Sequence, residues 1–299
     1  MNFFRGLFKD FPAPAQLVFL LMFVVVGSVA GTLLAFVLAA GFNPASIQEF
    51  SQSLTTNAAL AREAQFISQL FTFVIPPLVC AWIFSENAAD YLALRRPKNF
   101  GAIAWAALSV LFMLPVLNFA YELNMQLQLP ESLKFIENKI QAMEEAANRA
   151  IDLILNTDSM AVFAVNVFIV AVFAAFGEEL LFRGALQTIF GKMIGNHHAV
   201  IWIVAAIFSA IHLQFYGFLP RLLLGAWLGY LLFYTRSLWV PIIAHFFNNF
   251  AAIAQNQYFK DDAAALDRLN SIGTSDTWWL SAASAALFIF AAQKIVKKS

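Results

Sequence analysis

Few side chains in this chain could do chemistry, and those few lie inside apolar runs. Gly177–Glu178–Glu179–Leu180–Leu181–Phe182–Arg183 follows the apolar stretch from Ala161 to Phe176. His212 ends Phe208–Ser209–Ala210–Ile211–His212, and His245 and Asn249 stand four apart in His245–Phe246–Phe247–Asn248–Asn249. An ionisable group within a membrane span is costly and marks a functional site by default. Glu179 and Arg183 share a helix face and can pair. Glu178 lies about 100° around the helix from Glu179 and has no local cation. A Glu, two His and an amide drawn from three segments supply what peptide-bond hydrolysis needs. A base activates water, and donors stabilise the oxyanion of the tetrahedral intermediate.

The elements that must position these groups follow from composition. The 299 residues are 61% hydrophobic and only 12% charged, with a mean hydropathy of +0.72, whereas a soluble domain carries roughly a quarter charged residues. The fold class expected is all-α: a polytopic transmembrane helix bundle. By the ~20-residue criterion about eight spans are expected, at about 15–40, 65–84, 101–121, 160–189, 198–214, 219–234, 239–256 and 276–293. Pro76–Pro77 should kink the second. Residues 1–150 form amino-terminal spans and an outer segment, and 151–299 a catalytic core.

The apolar run after Ala15 is too long for a signal-peptide core, so the first span is expected to stay in the mature protein. Met1–Phe11, with Phe3, Phe4, Leu7 and Phe8 around Arg5 and Lys9, reads as an interfacial amphipathic helix. From Pro130 to about Leu155, apolar residues recur at helical spacing among Glu137, Glu144, Glu145 and Asp152. This predicts an amphipathic extramembrane helix, either a surface flap or a lid over the bundle. Arg95, Arg96, Lys98, Lys192, Arg236, Lys294, Lys297 and Lys298 fall on one side of alternating spans. The positive-inside rule places that side, and both termini, in the cytoplasm. Zero net charge gives no field for nucleic acid; the expected partners are membrane lipid and a peptide or protein substrate at the membrane. The single cysteine, Cys80, reads as a packing residue, and His197–His198 as a solvated helix start.

Glu-Glu-x-x-x-Arg (Glu178, Glu179, Arg183), Phe-x-x-x-His (Phe208, His212) and His-x-x-x-Asn (His245, Asn249) occur here in that order. In these motifs the sequence resembles the CAAX protease and bacteriocin-processing family of intramembrane endopeptidases, which includes the Ras-converting CAAX endoprotease. The likeness covers about residues 160–256. It implies that Glu178, with His212, activates water, that His245 and Asn249 stabilise the oxyanion, and that Glu179 and Arg183 hold the site. Glu178, His212 and His245 could instead ligate zinc with one open position; a metal-free mechanism is preferred. Two other classes fit the same residues: a non-catalytic membrane regulator or scaffold, such as a bacteriocin self-immunity protein, and a proton-coupled transporter. Straight alternating spans leave His245 near the cytoplasmic end and His212 nearer the outer end. Their convergence therefore requires tilt, a cytoplasmic extension or different boundaries.

Overall fold

The computed structural model describes residues 5–40, 46–127 and 130–297, and among them it is helical without strands. The principal helices are α1 (Ala13–Ala40), α2 (Ala58–Phe84), α3 (Gly101–Met125), α4 (Lys134–Leu155) and α5 (Met160–Met193). They are followed by α6 (His197–Ala210), α7 (Phe218–Thr235), α8 (Trp239–Phe259) and α9 (Trp278–Val296). A helix stands at each expected span, and among the described residues six are long and apolar enough to cross a membrane. The exceptions are α6 and α8. With 14 residues, α6 is about 21 Å long, short of a hydrocarbon core of about 30 Å. α8 has 21 residues but carries His245, Asn248, Asn249, Gln255, Asn256 and Gln257. The interfacial helix expected over Met1–Phe11 is a series of turns over residues 5–10, tied to the end of α2 through Gly6 N→Trp82 O and Phe8 N→Ile83 O, both 2.9 Å. Phe3, Phe4 and Lys298 lie outside the described residues.

The prolines of α2 follow an irregular turn of the helix. Leu70–Val74 forms a wide π turn just before Pro76–Pro77, and the Ile75 amide donates to Leu70 O, five residues back. In that register the next donor, to Phe71 O, would be Pro76, which has no N–H. α1 meets this carbonyl with Gly27: a Cβ there would collide with Phe71 O, and one at Gly31 would lie 2.9 Å from Phe71 Cβ. A small-xxx-small pair thus lets two membrane helices touch at backbone distance. α5 reaches the same turn with Gly177, where an added Cβ would sit 3.1 Å from both Phe73 and Val74. The residue preceding Glu178 is therefore the contact that seats the site-bearing helix on α2. Cys80 is fully buried among these packed residues.

The vertical mismatch between the two histidines is removed by helix length. α5 has 34 residues, and α8 does not begin level with its end: a Cβ on Gly184 would lie 3.4 Å from Leu238. α5 therefore runs on from Gly184 to Met193, roughly 14 Å past the start of α8. Leu238 N→Ala93 O at 2.8 Å and Ser237 Oγ→Arg95 O at 2.6 Å fix that start. α6 returns from the far end of α5. Glu178 and the end of α6 consequently stand at similar heights, roughly 20 Å above the α5–α6 turn.

The fifth span expected to reach residue 214 ends at Ala210, so His212 lies in the turn after α6. That turn carries Leu213 at φ +53°, a conformation unfavourable for a residue with a Cβ. Ser209 Oγ→Phe218 O (2.6 Å) closes it, and the buried Asn124 of α3 bonds Phe215 O (2.8 Å) and Leu219 N (2.9 Å). The amphipathic helix expected after Pro130 is present as α4. Glu144 accepts from Tyr216 N at 3.1 Å, and Asn148 accepts from Gln214 at 3.1 Å. α4 thus covers the His212 turn rather than standing free of it. His197 and His198 open α6, exposed, above the Asn196 cap.

The α1–α2 contact is directly testable. Gly27→Ala should lower stability in detergent by about 1–3 kcal/mol through overpacking. Gly191→Ala, where nothing lies within 4 Å of the added methyl, should be neutral or mildly stabilising. Thermal unfolding of the two variants decides it; equal behaviour would remove the close contact from the account.

Candidate active site

Glu178 and Glu179 stand on α5 with the π turn Leu180–Leu186 directly after them. Arg183 and Glu179 are both fully buried, and Arg183 Nη1 donates to Glu179 Oε1 at 2.7 Å. Arg183 Nη2 donates to Gly225 O of α7 at 2.8 Å, and the guanidinium carbon lies 4.6 Å from the Phe208 ring centroid. A buried charge needs this many partners: an isolated one is prohibitive in low dielectric. Glycine at 225 allows this close packing, since a Cβ would lie 3.1 Å from Phe208 and 3.3 Å from Arg183 Nη2. The helix-face argument for Glu179–Arg183 thus holds through a widened turn.

Glu179 has a second partner that sequence reasoning left out. His245 Nδ1 lies 2.9 Å from the same Oε1, so a carboxylate oxygen bridges a guanidinium and an imidazole. The carboxylate acceptor places a proton on Nδ1, leaving Nε2 directed elsewhere. Glu178 Oε2 is 3.7 Å from that Nε2. The Glu178 side chain is 15% exposed against 0% for Glu179, and among the described residues it has no Lys or Arg within ion-pair distance. The two adjacent carboxylates therefore differ in environment: one is locked into the architecture, the other faces an imidazole with room beside it.

His212 Nδ1 donates to Phe208 O at 2.8 Å, which in the neutral ring leaves Nε2 as the free acceptor. Phe208 spaces the two histidines, its ring centroid lying 5.1 Å from that of His212 and 5.9 Å from that of His245, edge-on to both. Asn249, one turn beyond His245, donates Nδ2 to Val170 O at 3.2 Å and accepts from Asn248 at 3.2 Å. Val170 lies in the π turn Val167–Phe173 of α5. One of its two amide N–H groups is thereby used and one remains. Glu178, Glu179, Arg183 and His245 form one cluster, Phe208 seats His212 beside it, and Asn249 stands a turn away without a direct bond to the carboxylates. Gly225 is a site residue that the sequence did not signal; only a three-helix contact makes its carbonyl matter.

Among the described residues no three His, Cys, Asp or Glu side chains gather as a ligand group. His245 Nδ1 and His212 Nδ1 both face oxygen acceptors, which leaves the two Nε2 atoms as the ring nitrogens able to take a ligand. Glu178, His212 and His245 are the residues that would hold zinc, and they do not stand as an assembled ligand group among the described residues.

The unequal burial predicts unequal stability effects. Arg183→Gln leaves Glu179 buried beside a neutral group and should cost about 3–5 kcal/mol. Glu178→Gln, without a permanent cation partner, should cost far less. Unfolding in detergent micelles measures both; equal losses would contradict the division of roles.

Comparison with known proteins bears on the same segment. Residues 160–251 match the family model described as Rce1-like, type II CAAX prenyl endopeptidase. The uncharacterized protein YpbD of Bacillus subtilis (strain 168) is 32% identical over 85 residues, which is 27% of this chain and 40% of YpbD. The chain thus spans less than half the length of that relative. No solved structure gives a significant match. Every residue from Glu178 to Asn249 lies inside the matched segment. Through residues 160–251, this integral membrane chain is similar to the Rce1-like family of type II CAAX prenyl endopeptidases.

Proposed function

We propose that this protein is an intramembrane endopeptidase that hydrolyses a peptide bond in a membrane-associated substrate, with water activated by Glu178 and His212. The observation that carries this reading is the asymmetry of the glutamate pair. Glu179 is consumed by Arg183 and His245, while Glu178 stands partly exposed beside His245 Nε2.

In this mechanism Glu178 takes one proton of the attacking water, and His212 Nε2 accepts a hydrogen bond from it. The water oxygen bonds to the scissile carbonyl carbon, and the carbonyl oxygen becomes the oxyanion. His245, oriented by Glu179, stabilises that oxyanion through Nε2, and Asn249 supplies its remaining amide N–H. On collapse the C–N bond breaks, and the proton held by Glu178 passes to the leaving amine. Glu179 and Arg183 position His245 and touch neither water nor substrate. The family likeness supports a substrate of CAAX or bacteriocin type.

Cleavage of a membrane-anchored peptide library by the purified protein tests the assignment. Glu178→Ala and His212→Ala should each lower the rate by about 10²–10⁴, and Asn249→Ala by about 10²–10³. Full cleavage by the first two variants would sink the mechanism, and no cleavage by any form would favour a non-catalytic scaffold. Thorough chelation should leave the rate unchanged; its loss, restored by zinc, would replace the metal-free mechanism with a metal-dependent one.

A further inference from the structure

A polar cavity lies apart from the catalytic cluster, at the carboxyl end of α7. α5 overshoots the start of α8, and the chain from Ala88 to Arg95 folds beside the overshoot. Leu238 N→Ala93 O and Ser237 Oγ→Arg95 O fasten that segment to the residues just after α7. Between them opens a cavity of about 430 Å³, lined among others by Arg95, Thr188, His197, Phe233 and Arg236. Thr188 stands roughly 15 Å along α5 from Glu178. A volume of this order is typical of small-molecule sites.

The backbone around the cavity is strained in two places. Ala93 and Arg236 hold φ at +53° and +55°, a region costly for residues with a Cβ. Arg236 occupies the left-handed position that ends α7, its amide bonded to Leu232 O at 2.8 Å. Glycine is the ordinary residue there and asparagine the next, so an arginine is held against its backbone preference. Such strain collects at ligand clamps. The Arg236 guanidinium carbon lies 5.2 Å from the Phe233 ring centroid, and the His197 ring stacks on Phe233 at 4.2 Å with the planes 10° apart. One aromatic ring thus positions a guanidinium and an imidazole.

The charges of the cavity do not balance. Among the described residues no carboxylate stands within ion-pair distance of Arg236. Arg95 meets Asp90, which also lines the cavity, at 3.5 Å with both side chains more than half exposed, a contact worth little. Two guanidiniums therefore share one loosely held carboxylate. α6 begins at His197 and adds the positive end of its dipole. Guanidinium forks match phosphate oxygens through paired N–H donors. The ends of α5 and α7 and the start of α6 meet here, at the level where spanning helices leave hydrocarbon and lipid headgroups come within reach.

We infer that Arg95 and Arg236 form a receptor for the phosphate of an anionic phosphate ester, carried by a lipid headgroup or by a soluble molecule. The site is separate from the catalytic cluster and does not depend on the endopeptidase reading. The test titrates full-length protein in neutral detergent micelles with phosphatidylglycerol, with phosphatidylcholine and with glycerol phosphate. Phosphatidylglycerol should bind saturably and more tightly than phosphatidylcholine, and Arg95→Gln and Arg236→Gln should each weaken it about 10-fold. Thr188→Phe, which fills the cavity without altering charge, should weaken it as much. Lys98→Gln, which removes a charge from an exposed neighbouring position, should bind like wild type. Competition by glycerol phosphate would identify a soluble ester as a sufficient ligand; its failure would assign the site to lipid. Arg236→Gly suits the left-handed backbone, so it should unfold at no lower temperature than wild type while losing the same affinity. A lower unfolding temperature in that variant would make the arginine structural and overturn the inference. So would equal binding of the two lipids, an equal loss in Lys98→Gln, unchanged binding in Thr188→Phe, or binding of none of the three ligands.

Discussion

A fully buried arginine inside a membrane bundle has to be neutralised, and the way Arg183 is neutralised organises its surroundings. It takes a carboxylate from its own helix, a carbonyl from α7 and an aromatic face from α6. Three helices are thereby fixed at one level. The same carboxylate oxygen then orients His245 from a fourth. Removing a charge from water is so costly that such a centre tolerates little displacement, and this rigidity is what a preorganised hydrolytic site requires.

Close backbone approach makes that geometry reachable. Gly27 and Gly31 bring α1 onto the wide turn of α2, Gly177 brings α5 onto the same turn, and Gly225 lets Arg183 and Phe208 meet over α7. Where the driving force of water is absent, small residues and internal hydrogen bonds carry helix association. The π turns belong to the same economy of backbone groups. One lies before the prolines of α2, one directly follows the glutamate pair, and the third supplies Val170 O to Asn249. Wide turns of this kind collect at functional sites because they re-aim side chains without breaking the helix.

The turn after α6 joins the site to the extramembrane layer. His212 lies in it, Asn124 of α3 braces it, and Glu144 of α4 caps its Tyr216 amide. The amphipathic helix is thereby linked to the position of a histidine that the proposed mechanism uses. This gives α4 a role between the two expected of it, since it covers the site's turn while its outer face remains exposed.

The residue types and spacings alone determined that the chain is helical and membrane-embedded, that Glu179 pairs with Arg183, and that Glu178 is the carboxylate left over. Each of these depends on local periodicity or on the cost of charge in hydrocarbon, and both are legible within one helix. Only the tertiary structure decided that Glu179 also holds His245, that α6 is too short to span and so ends below His212, and that α5 overshoots the start of α8. It alone brought the Gly225 carbonyl of α7 onto Arg183. These are relations between helices, set by register and length, and no pattern within a single segment encodes the offset between two of them.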